Sequence, residues 1–232
     1  MSRVFAVVPA HNEASRVSDT VSALRALAAE VVVVADACSD DTAARAREAG
    51  AEVLVRQGRG DKARALAKGL RWVQVQQPAD DAVVLLVDAD VGETARAVTP
   101  LVQAVRAGEA DLAIGVLPPA GRRGGFGLVA RFARWVLLRH TGRRFRAPLS
   151  GQRALRWSTL RQLQALAGGF GVDVGMTVDL CRVGARVQEI EVNMTHRYTG
   201  RSWRGFLHRA RQGWHVLLAS VGRRQVRLWT DG

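Results

Sequence analysis

The chain has 232 residues, of which 48% are hydrophobic, and a formal net charge of +13. This length allows one sizeable core, and no linker rich in Ser, Pro or Gly divides the chain, so we expect a single domain over residues 1–232. The start has no apolar signal segment, and no uncharged apolar run of about 18 residues is present, which argues against secretion and membrane spanning. We therefore expect a cytoplasmic protein in which Cys38 and Cys181 are free thiols.

The basic charge is concentrated in the second half of the chain. Residues 1–111 carry 13 basic and 16 acidic side chains, whereas residues 112–172 carry 11 arginines and no acidic residue. This asymmetry favours an anionic partner, which could be phosphate on a small molecule, anionic lipid or nucleic acid.

Five short β-branched runs in the first half predict strands that are covered on both faces. Between them lie segments with apolar residues at helical spacing. Alternation of strand and helix predicts an α/β fold with a mostly parallel sheet and right-handed crossovers. The predicted strands are residues 3–8, 30–35, 51–56, 82–87 and 111–116.

Polar segments follow four of these strands, at the edge of the sheet where ligands bind in such folds. They read PAHNE (9–13), DACSDDT (36–42), QGRGDK (57–62) and DAD (88–90). Each segment alone could cap a helix or form a turn. Their occurrence together at one edge indicates a binding site.

The DAD segment places Asp88 and Asp90 directly after a buried strand. Two carboxylates at positions i and i+2 repel each other unless a cation lies between them. Their oxygen atoms are the ligands that Mg²⁺ and Mn²⁺ prefer. The sequence therefore predicts a divalent-metal site at the end of the fourth strand.

These motifs resemble those of family-2-type glycosyltransferases of the GT-A fold. VVPAHNEA, SDDT, the Gly/Lys segment and DAD match in order, and SGQRAL (150–155), GFGVDVGMTVDL (169–180) and THR (195–197) resemble acceptor-side motifs of that family. The similarity covers residues 3–212 and is greatest to enzymes of the glucosyl-3-phosphoglycerate synthase and polyprenyl-phosphate sugar transferase type.

The resemblance implies a Rossmann-like sheet flanked by helices, with a nucleotide-binding half (1–116) before an acceptor-side half (117–232). It implies transfer of a hexose from a nucleotide diphosphate sugar, with Mg²⁺ or Mn²⁺ as cofactor. The family's metal-ligand role falls on Asp90, its nucleotide-facing role on Asp88, and a further ligand position on His196. A divalent cation stabilises the departing diphosphate as a Lewis acid.

The nucleotide contacts that the resemblance implies lie after the first two strands. They fall on Pro9, Ala10 and Glu13, with Asp36 accepting a hydrogen bond from an N–H of the base. A carboxylate at this position suits uracil and also guanine, so the base stays open. A UDP-sugar is the donor that we expect.

The diphosphate contact is expected at Lys62, which follows GRGD at a predicted helix start. A cation and free backbone N–H groups at a helix start together attract phosphate. The inserted Asp61 departs from the Gly-Lys-Gly pattern that is more common in the family, which leaves Arg59 as an alternative to Lys62.

The acceptor side is expected around Asp173, at the start of a predicted helix that ends near Gly184. Asp173 resembles the acid that is the general base in inverting members of the family and binds sugar hydroxyls in retaining ones. An acidic residue at a helix start is also favoured by the helix dipole alone. The residues expected to line the sugar and acceptor pocket are Ser150, Gly151, Gln152, Arg197 and Arg201.

The nature of the acceptor is suggested by three further segments. The loop that binds the acceptor phosphate in phosphoglycerate-specific members reads GRRGGFG (121–127) here, a departure that argues against phosphoglycerate. Residues 125–140 and 201–224 interleave Trp, Phe and Leu with Arg, as interfacial helices do, although a helix packed on the sheet would look similar. A polyprenyl-phosphate acceptor at an anionic membrane surface is consistent with both features.

Two other functional classes fit parts of the sequence. A nucleic-acid-binding protein would explain the charge, but the sequence contains no recognisable nucleic-acid-binding motif and such a protein does not need the DAD segment. A sugar-phosphate nucleotidyltransferase shares the sheet architecture but is expected to carry a Gly-rich phosphate loop where this chain has PAHNEA. We therefore expect a metal-dependent glycosyltransferase and no nucleic-acid partner.

Overall fold

The structure is a computed structural model that describes residues 2–27, 29–118, 126–168, 171–194 and 225–229; for residues 126–128 it describes the backbone alone. Within these ranges, the strands are β1 (Val4–Ala10), β2 (Ala29–Asp36), β3 (Glu52–Arg56), β4 (Val83–Leu86), β5 (Leu112–Val116), β6 (Arg153–Arg156), β7 (Ala165–Ala167), β8 (Val187–Glu191) and β9 (Gln225–Arg227).

The central sheet has seven strands in the order β3-β2-β1-β4-β6-β5-β8. All neighbours in it are parallel except β6, which runs antiparallel to both β4 and β5. Strands β7 and β9 form a separate antiparallel pair. The prediction of a mostly parallel α/β sheet is therefore confirmed, and the reversed strand β6 is a feature that the hydrophobic pattern did not reveal.

Helices cover the sheet on both faces, and two buried apolar clusters lie between the helices and the sheet. The helices are α1 (Val17–Arg25), α2 (Thr42–Glu48), α3 (Lys62–Val75), α4 (Thr99–Arg106), α5 (Phe126–Thr141), α6 (Trp157–Leu160) and α7 (Val172–Arg182), with a 3₁₀ helix at Gly92–Val98.

Helix α3 packs unusually close to the sheet, which determines where its first residue lies. Its apolar side chains Leu66 and Leu70 belong to the same buried cluster as Phe5 of β1. A Cβ atom on Gly69 would lie only 2.4 Å from Cγ1 of Val7, so the close approach requires glycine at this position. The N-terminal end of α3 is thereby held beside the carboxyl end of β1.

The five strands predicted in the first half of the chain are all present, within two residues of the predicted bounds. Helix α5 corresponds to the predicted amphipathic segment 125–140, whereas segment 201–224 lies outside the described residues. Cys38 and Cys181 are free, as predicted. Among the described helices, none has both the length and the apolar character needed to cross a membrane.

Candidate active site

Three predicted site residues meet beyond the carboxyl ends of the parallel strands. The ammonium Nζ of Lys62 lies 3.0 Å from Oδ1 of Asp88 and 3.4 Å from Oδ2 of Asp173. Lys62 begins α3, Asp88 follows β4, and Asp173 lies in the first turn of α7. We call this arrangement the Lys62–Asp88–Asp173 cluster.

The charges of this cluster depend on one another because their side chains are largely withdrawn from water. The exposed fraction is 19% for the Lys62 side chain and 8% for that of Asp173. Burial lowers the pKa of Lys62, but the carboxylates of Asp173 and Asp88 outweigh this effect and raise its pKa above the ordinary value. Burial raises the pKa of Asp173 above its ordinary value, although the neighbouring cations Lys62 and Arg153 oppose that rise. Lys62 is therefore a stable cation between two acids.

Asp88 is held in place by the SGQ segment. Gln152, which is fully buried, donates from Nε2 to Oδ2 of Asp88 over 2.9 Å and accepts from the Asp88 backbone N–H over 3.2 Å. A Cβ atom on Gly151 would lie 2.4 Å from the same carboxylate oxygen. The structure thus brings two residues predicted for the sugar pocket against Asp88, and Ser150 joins them by accepting from the Gln152 backbone N–H.

The position of Asp173 depends on the packing of helix α7 against strand β7. A Cβ atom on Gly175 would lie 2.6 Å from the Cβ of Ala167 in β7, so a glycine is needed where the helix crosses this strand. The hydroxyl of Thr177 donates to the carbonyl oxygen of Asp173 over 2.9 Å. The predicted position of Asp173 near a helix start is confirmed, one residue after the helix begins.

Of the residues predicted to surround the metal ion, Asp88 and Asp90 lie within the described ranges. Asp90 is half-buried, and its backbone carbonyl accepts from Nη1 of Arg16 over 3.3 Å. Within the described ranges, no group of three or more His, Cys, Asp or Glu side chains is arranged to hold a metal ion, and the predicted ligand His196 lies outside those ranges. Mg²⁺ is commonly held by one or two carboxylates together with water and substrate phosphates. Carboxylate oxygens at this edge of the sheet have the chemistry that such a cation needs, and the metal-ligand role of Asp90 stays a prediction.

The loops after β1 and β2, where the base and ribose are predicted to bind, hold each other in position. Pro9 and Ala10 end β1, and the Glu13 backbone N–H donates to the hydroxyl of Thr42 at the start of α2 over 2.9 Å. Asn12 has φ of 56°, and its side-chain oxygen accepts from a backbone N–H in the loop after β2 over 2.8 Å. The two loops thus form one hydrogen-bonded unit at the edge of the sheet.

Asp36 lies in this region, but both of its carboxylate oxygens contact other groups of the protein. It is 4% exposed, its Oδ1 lies 2.5 Å from Nε of Arg56, and its Oδ2 accepts from the Asp61 backbone N–H over 2.6 Å. The side chain of Arg56 also donates to the carbonyl oxygen of Arg59. The role of Asp36 in base recognition stays a prediction, and the structure adds that Asp36 links β2 to the loop before α3.

Two arginines in the site were missed by the sequence analysis. Arg56 ends β3 and is the register partner of Asp36, so its position at the end of a predicted strand was a usable signal. Arg153 begins β6 and is completely buried, with Nε 3.7 Å from Oδ1 of Asp173. Its burial could not be expected, because arginine is usually exposed. Arg197 and Arg201, which were predicted to bind the acceptor, lie outside the described residues.

Comparisons with known proteins agree with this geometry. Residues 5–161 match the model of the family described as glycosyl transferase family 2. An undecaprenyl-phosphate mannosyltransferase of Micrococcus luteus is 30% identical over 218 residues, which cover 86% of both chains. Glycosyltransferase AglJ of Haloferax volcanii is 27% identical over 202 residues, which cover 85% of this chain and 64% of AglJ.

Solved structures share the fold. Glucosyl-3-phosphoglycerate synthase of Mycobacterium tuberculosis, in complex with phosphoglyceric acid, superposes with a TM-score of 0.73 and 25% identity, covering 96% of this chain and 81% of that one. The same enzyme with Mn²⁺ and UDP-glucose gives a TM-score of 0.73 at 24% identity, covering 96% and 80%. The GT-A fold prediction is thereby confirmed.

The comparisons also decide among the three functional classes that the sequence left open. The family model and both sequence relatives are named as glycosyltransferases, rather than as nucleotidyltransferases or nucleic-acid-binding proteins. The family match spans more than half of the chain. The chain is a glycosyltransferase and belongs to glycosyl transferase family 2.

Proposed function

We propose that this enzyme moves a hexose from a nucleotide diphosphate sugar, with UDP as the expected nucleotide, to a phosphate-bearing or lipid-linked acceptor at the cytoplasmic face of a membrane. The observation that carries the proposal is the Lys62–Asp88–Asp173 cluster, which joins a cation to two acids at the ligand-binding edge of the sheet. A nucleotide diphosphate sugar supplies both a diphosphate for the cation and hydroxyl groups for a carboxylate.

Lys62 is proposed to bind the diphosphate. The carboxylate of Asp61 caps α3 by accepting from the backbone N–H groups of Ala63 and Arg64 over 3.0 and 3.3 Å. These two N–H groups are already satisfied, so the ammonium of Lys62 rather than the helix start supplies the main attraction for phosphate. Lys62 is favoured over Arg59 because its ammonium already lies among the other predicted site residues.

A divalent cation is proposed to accompany the diphosphate. Asp90 would ligate it, Asp88 would face the nucleotide beside it, and His196 would add a further ligand. Bound there, Mg²⁺ or Mn²⁺ would stabilise negative charge on the departing nucleotide as a Lewis acid. Support comes from relatives of the same fold, since glucosyl-3-phosphoglycerate synthase of M. tuberculosis was solved with Mn²⁺ and UDP-glucose and with Mg²⁺ and UDP.

The role of Asp173 depends on the acceptor. An acceptor hydroxyl must lose a proton during transfer, and Asp173 would then be the general base. An acceptor phosphate already carries an anionic oxygen at neutral pH, because its second pKa is about 6. With that acceptor no base is needed, and Asp173 would instead hold sugar hydroxyls. The residues Ser150, Gly151 and Gln152 are proposed to complete the sugar pocket, with Arg197 and Arg201 on the acceptor side.

A lipid-linked acceptor is favoured by the outer face of α5. The inner face of this helix is buried, whereas Trp135 is 59% and Leu138 is 39% exposed. The ring of Phe132 stacks on that of Trp135 at 5.7 Å. Exposed aromatic and aliphatic groups beside arginines are typical of helices that enter the headgroup layer of an anionic bilayer. The exposed arginines on this helix are Arg131, Arg134 and Arg139.

The relatives support the same class of acceptor. The M. luteus relative is named for mannosyl transfer to undecaprenyl phosphate, and the M. tuberculosis enzyme was solved with phosphoglyceric acid, which also bears a phosphate. Both names therefore contain a phosphate-bearing acceptor. We favour polyprenyl phosphate because the α5 surface suits a membrane.

The proposal is tested by supplying radiolabelled UDP-glucose, GDP-mannose and dTDP-glucose with Mg²⁺ or Mn²⁺. Each donor is offered together with polyprenyl phosphate in vesicles or with phosphoglycerate in solution. We expect label in the lipid fraction with one donor, and its loss on chelation of the metal or in the Asp90→Asn variant. Failure of every donor to bind or to transfer sugar to either acceptor would refute the proposal.

A further inference from the structure

Arg153 is a buried cation that lies within the SGQRAL motif but was not among the predicted site residues. It begins β6, opposite Leu86 of β4 and Ile114 of β5, and its side chain is 0% exposed. Transfer of a charged side chain from water into the interior costs several kcal/mol unless it is paired and hydrogen-bonded. Arginine keeps its proton in proteins, so it cannot escape this cost by becoming neutral. The position therefore needs a partner that makes a buried charge tolerable.

The partners of Arg153 all belong to the surroundings of Asp173. Nε donates to the carbonyl oxygen of Ser150 over 2.9 Å and lies 3.7 Å from Oδ1 of Asp173. Nη1 donates to the hydroxyl of Thr177 over 2.9 Å, and that hydroxyl donates in turn to the carbonyl oxygen of Asp173. Nη2 is buried and has no hydrogen-bond partner within the described structure. Arg153 is thus fixed on two sides and keeps one donor group unused.

Asp173 consequently has two cationic neighbours, which differ in how freely their side chains can move. Lys62 approaches from α3, is 19% exposed, and also pairs with Asp88. Arg153 approaches from β6, is shielded from water, and is held by two hydrogen bonds. A diphosphate at the open side of the cluster can attract Lys62 away from Asp173. It cannot draw Arg153 away in the same manner, because the guanidinium is enclosed.

We propose that Arg153 is a positioning residue for Asp173, which keeps this carboxylate charged and oriented when Lys62 turns towards the diphosphate. The proposal depends on the proposed function at one point only, namely that Lys62 turns from Asp173 to a bound diphosphate. The charged groups that act on Asp173 are Lys62 on α3, Arg153 on β6 and Asp88 after β4. Burial raises the pKa of Asp173, the two cations lower it, and Asp88 raises it. The net effect is a raised pKa even beside both cations, so loss of either cation should favour the neutral acid further.

The test is a titration of the Asp173 carboxyl carbon by ¹³C NMR, with the resonance assigned from an Asp173→Asn variant. The full chain is measured alone and with UDP and Mg²⁺. We expect Arg153→Met to move the Asp173 midpoint upward by about one pH unit or more, since a cation at short range shifts an acid by that amount. Arg153→Lys keeps the charge and is expected to restore most of the shift.

Thr177→Val is the matched control, because it removes a hydrogen bond of Arg153 but leaves the charge. It is expected to leave the Asp173 midpoint near that of the wild type even where it lowers the melting temperature. An unmoved midpoint in Arg153→Met, or an equal shift in Thr177→Val, would overturn the proposal. The acid limb of kcat should move with the midpoint in Arg153→Met, while KM for the donor changes less than twofold.

If Arg153→Met does not fold, Lys62→Met provides the decisive measurement. If Arg153 helps to keep Asp173 charged, the Asp173 carboxyl should still ionise in Lys62→Met within the pH range over which the folded chain is stable. Failure of Asp173 to ionise anywhere in that range would show that Lys62 alone holds the charge and would overturn the proposal. These titrations need no sugar transfer. If transfer is never observed and the titrations behave as expected, the proposed function fails and the role of Arg153 stands.

Discussion

The ammonium nitrogen of Lys62 lies 3.0 Å from Oδ1 of Asp88 although the two residues belong to different crossovers of the sheet. Gly69 lets α3 approach β1 closely, and the first residue of that helix reaches the carboxylate that follows β4. The same ammonium reaches Asp173, so one cation joins the residue predicted to face the nucleotide to the residue predicted to act on the acceptor side. A ligand with a diphosphate in the middle matches this order of charges.

Replacement of Lys62 by Met should weaken binding of UDP and of a UDP-sugar by at least about 10-fold, which corresponds to about 1.4 kcal/mol. The variant lacks the cation that is proposed to bind the diphosphate. The diphosphate would then be repelled by the carboxylates of Asp88 and Asp173. Isothermal titration calorimetry measures the change. Lys68→Met is the matched control, because Lys68 lies in the same helix but donates to the carbonyl of Val55. Equal losses in both variants would contradict the assignment.

Replacement of Asp90 by Asn should leave the fold intact, since the residue lies beyond the end of β4, yet weaken the metal-dependent part of UDP affinity. A loss of about 1 to 3 kcal/mol is expected for removal of one charged contact. The measurement is the difference in UDP affinity with and without Mn²⁺. Asp81→Asn serves as the control, because Asp81 is exposed and lies before the same strand. Unchanged Mn²⁺ dependence in Asp90→Asn would remove Asp90 from the metal site.

Two glycine substitutions should separate activity from stability. Gly151→Ala places a Cβ against the end of the Asp88 side chain, which can turn aside only by giving up its contacts with Gln152 and Lys62, so sugar transfer should fall by more than 10-fold with a smaller loss of stability than in a core substitution. Gly69→Ala places its Cβ 2.4 Å from a buried Val7 methyl group, which cannot move freely, so the free energy of unfolding should fall by about 1 to 3 kcal/mol. Urea unfolding and an activity assay of both variants test this contrast. The reverse pattern would show that Gly151 matters for packing alone.

A pH-dependent contribution to stability is expected at Asp111, away from the Lys62–Asp88–Asp173 cluster. Hydrogen bonds from Arg186 lower the pKa of Asp111 below its ordinary value. A carboxyl whose pKa is lower in the folded state stabilises that state above its unfolded pKa, and the effect disappears as the pH falls through the folded value. Asp111→Asn should therefore be less stable than the wild type at neutral pH, with a difference that disappears in acid.

Urea unfolding at several pH values measures this difference. Asp80→Asn is the control, because Asp80 pairs with Arg161 where both side chains are more than half exposed, and such pairs contribute little. A stability difference for Asp111→Asn that persists unchanged to the lowest pH would show that its charge is not the cause.

The first half of the sequence was sufficient to predict the parallel strands and the edge at which ligands bind. Its strands are buried on both faces, so they stand out as apolar runs, and in a parallel sheet their polar ends must meet at one edge. Lys62 and Asp88 could be assigned to the site for this reason. Asp173 lies far along the chain, and only the resemblance of its motif to a known family connected it with them.

The reversed strand β6 and its first residue could not be predicted in this way. The strand has four residues and carries an arginine at each end, so its composition does not resemble that of a central strand. Arg153 is buried only because Asp173 and Thr177 reach it from α7, which is a tertiary relationship. Gln152 was predicted to line the sugar pocket, and the structure adds a contact of its amide with Asp88 that the sequence did not indicate. A single sequence gives no information about which distant groups will meet.

The last prediction concerns the outer face of α5, where Trp135 and Leu138 are exposed beside arginines. If this face meets a bilayer, the protein should sediment with anionic vesicles but not with zwitterionic ones. Added salt should weaken binding, because exposed charges are screened over about 8 Å at physiological ionic strength. Trp135→Ser combined with Leu138→Ser should reduce vesicle binding at least about 10-fold without changing turnover of a soluble acceptor, since neither residue belongs to the cluster around Lys62.

The α5 arginines and the acceptor-side arginines should then behave differently. Neutralising Arg131, Arg134 and Arg139 together should slow transfer to polyprenyl phosphate in vesicles and leave transfer to a soluble acceptor unaffected. Replacing Arg197 and Arg201 should slow both, because these residues are proposed to hold the acceptor phosphate itself. The two assays, run side by side on both sets of variants, measure the distinction. Equal effects of the α5 variants in both assays, or vesicle binding that ignores lipid charge and salt, would show that α5 serves the enzyme in some way other than membrane contact.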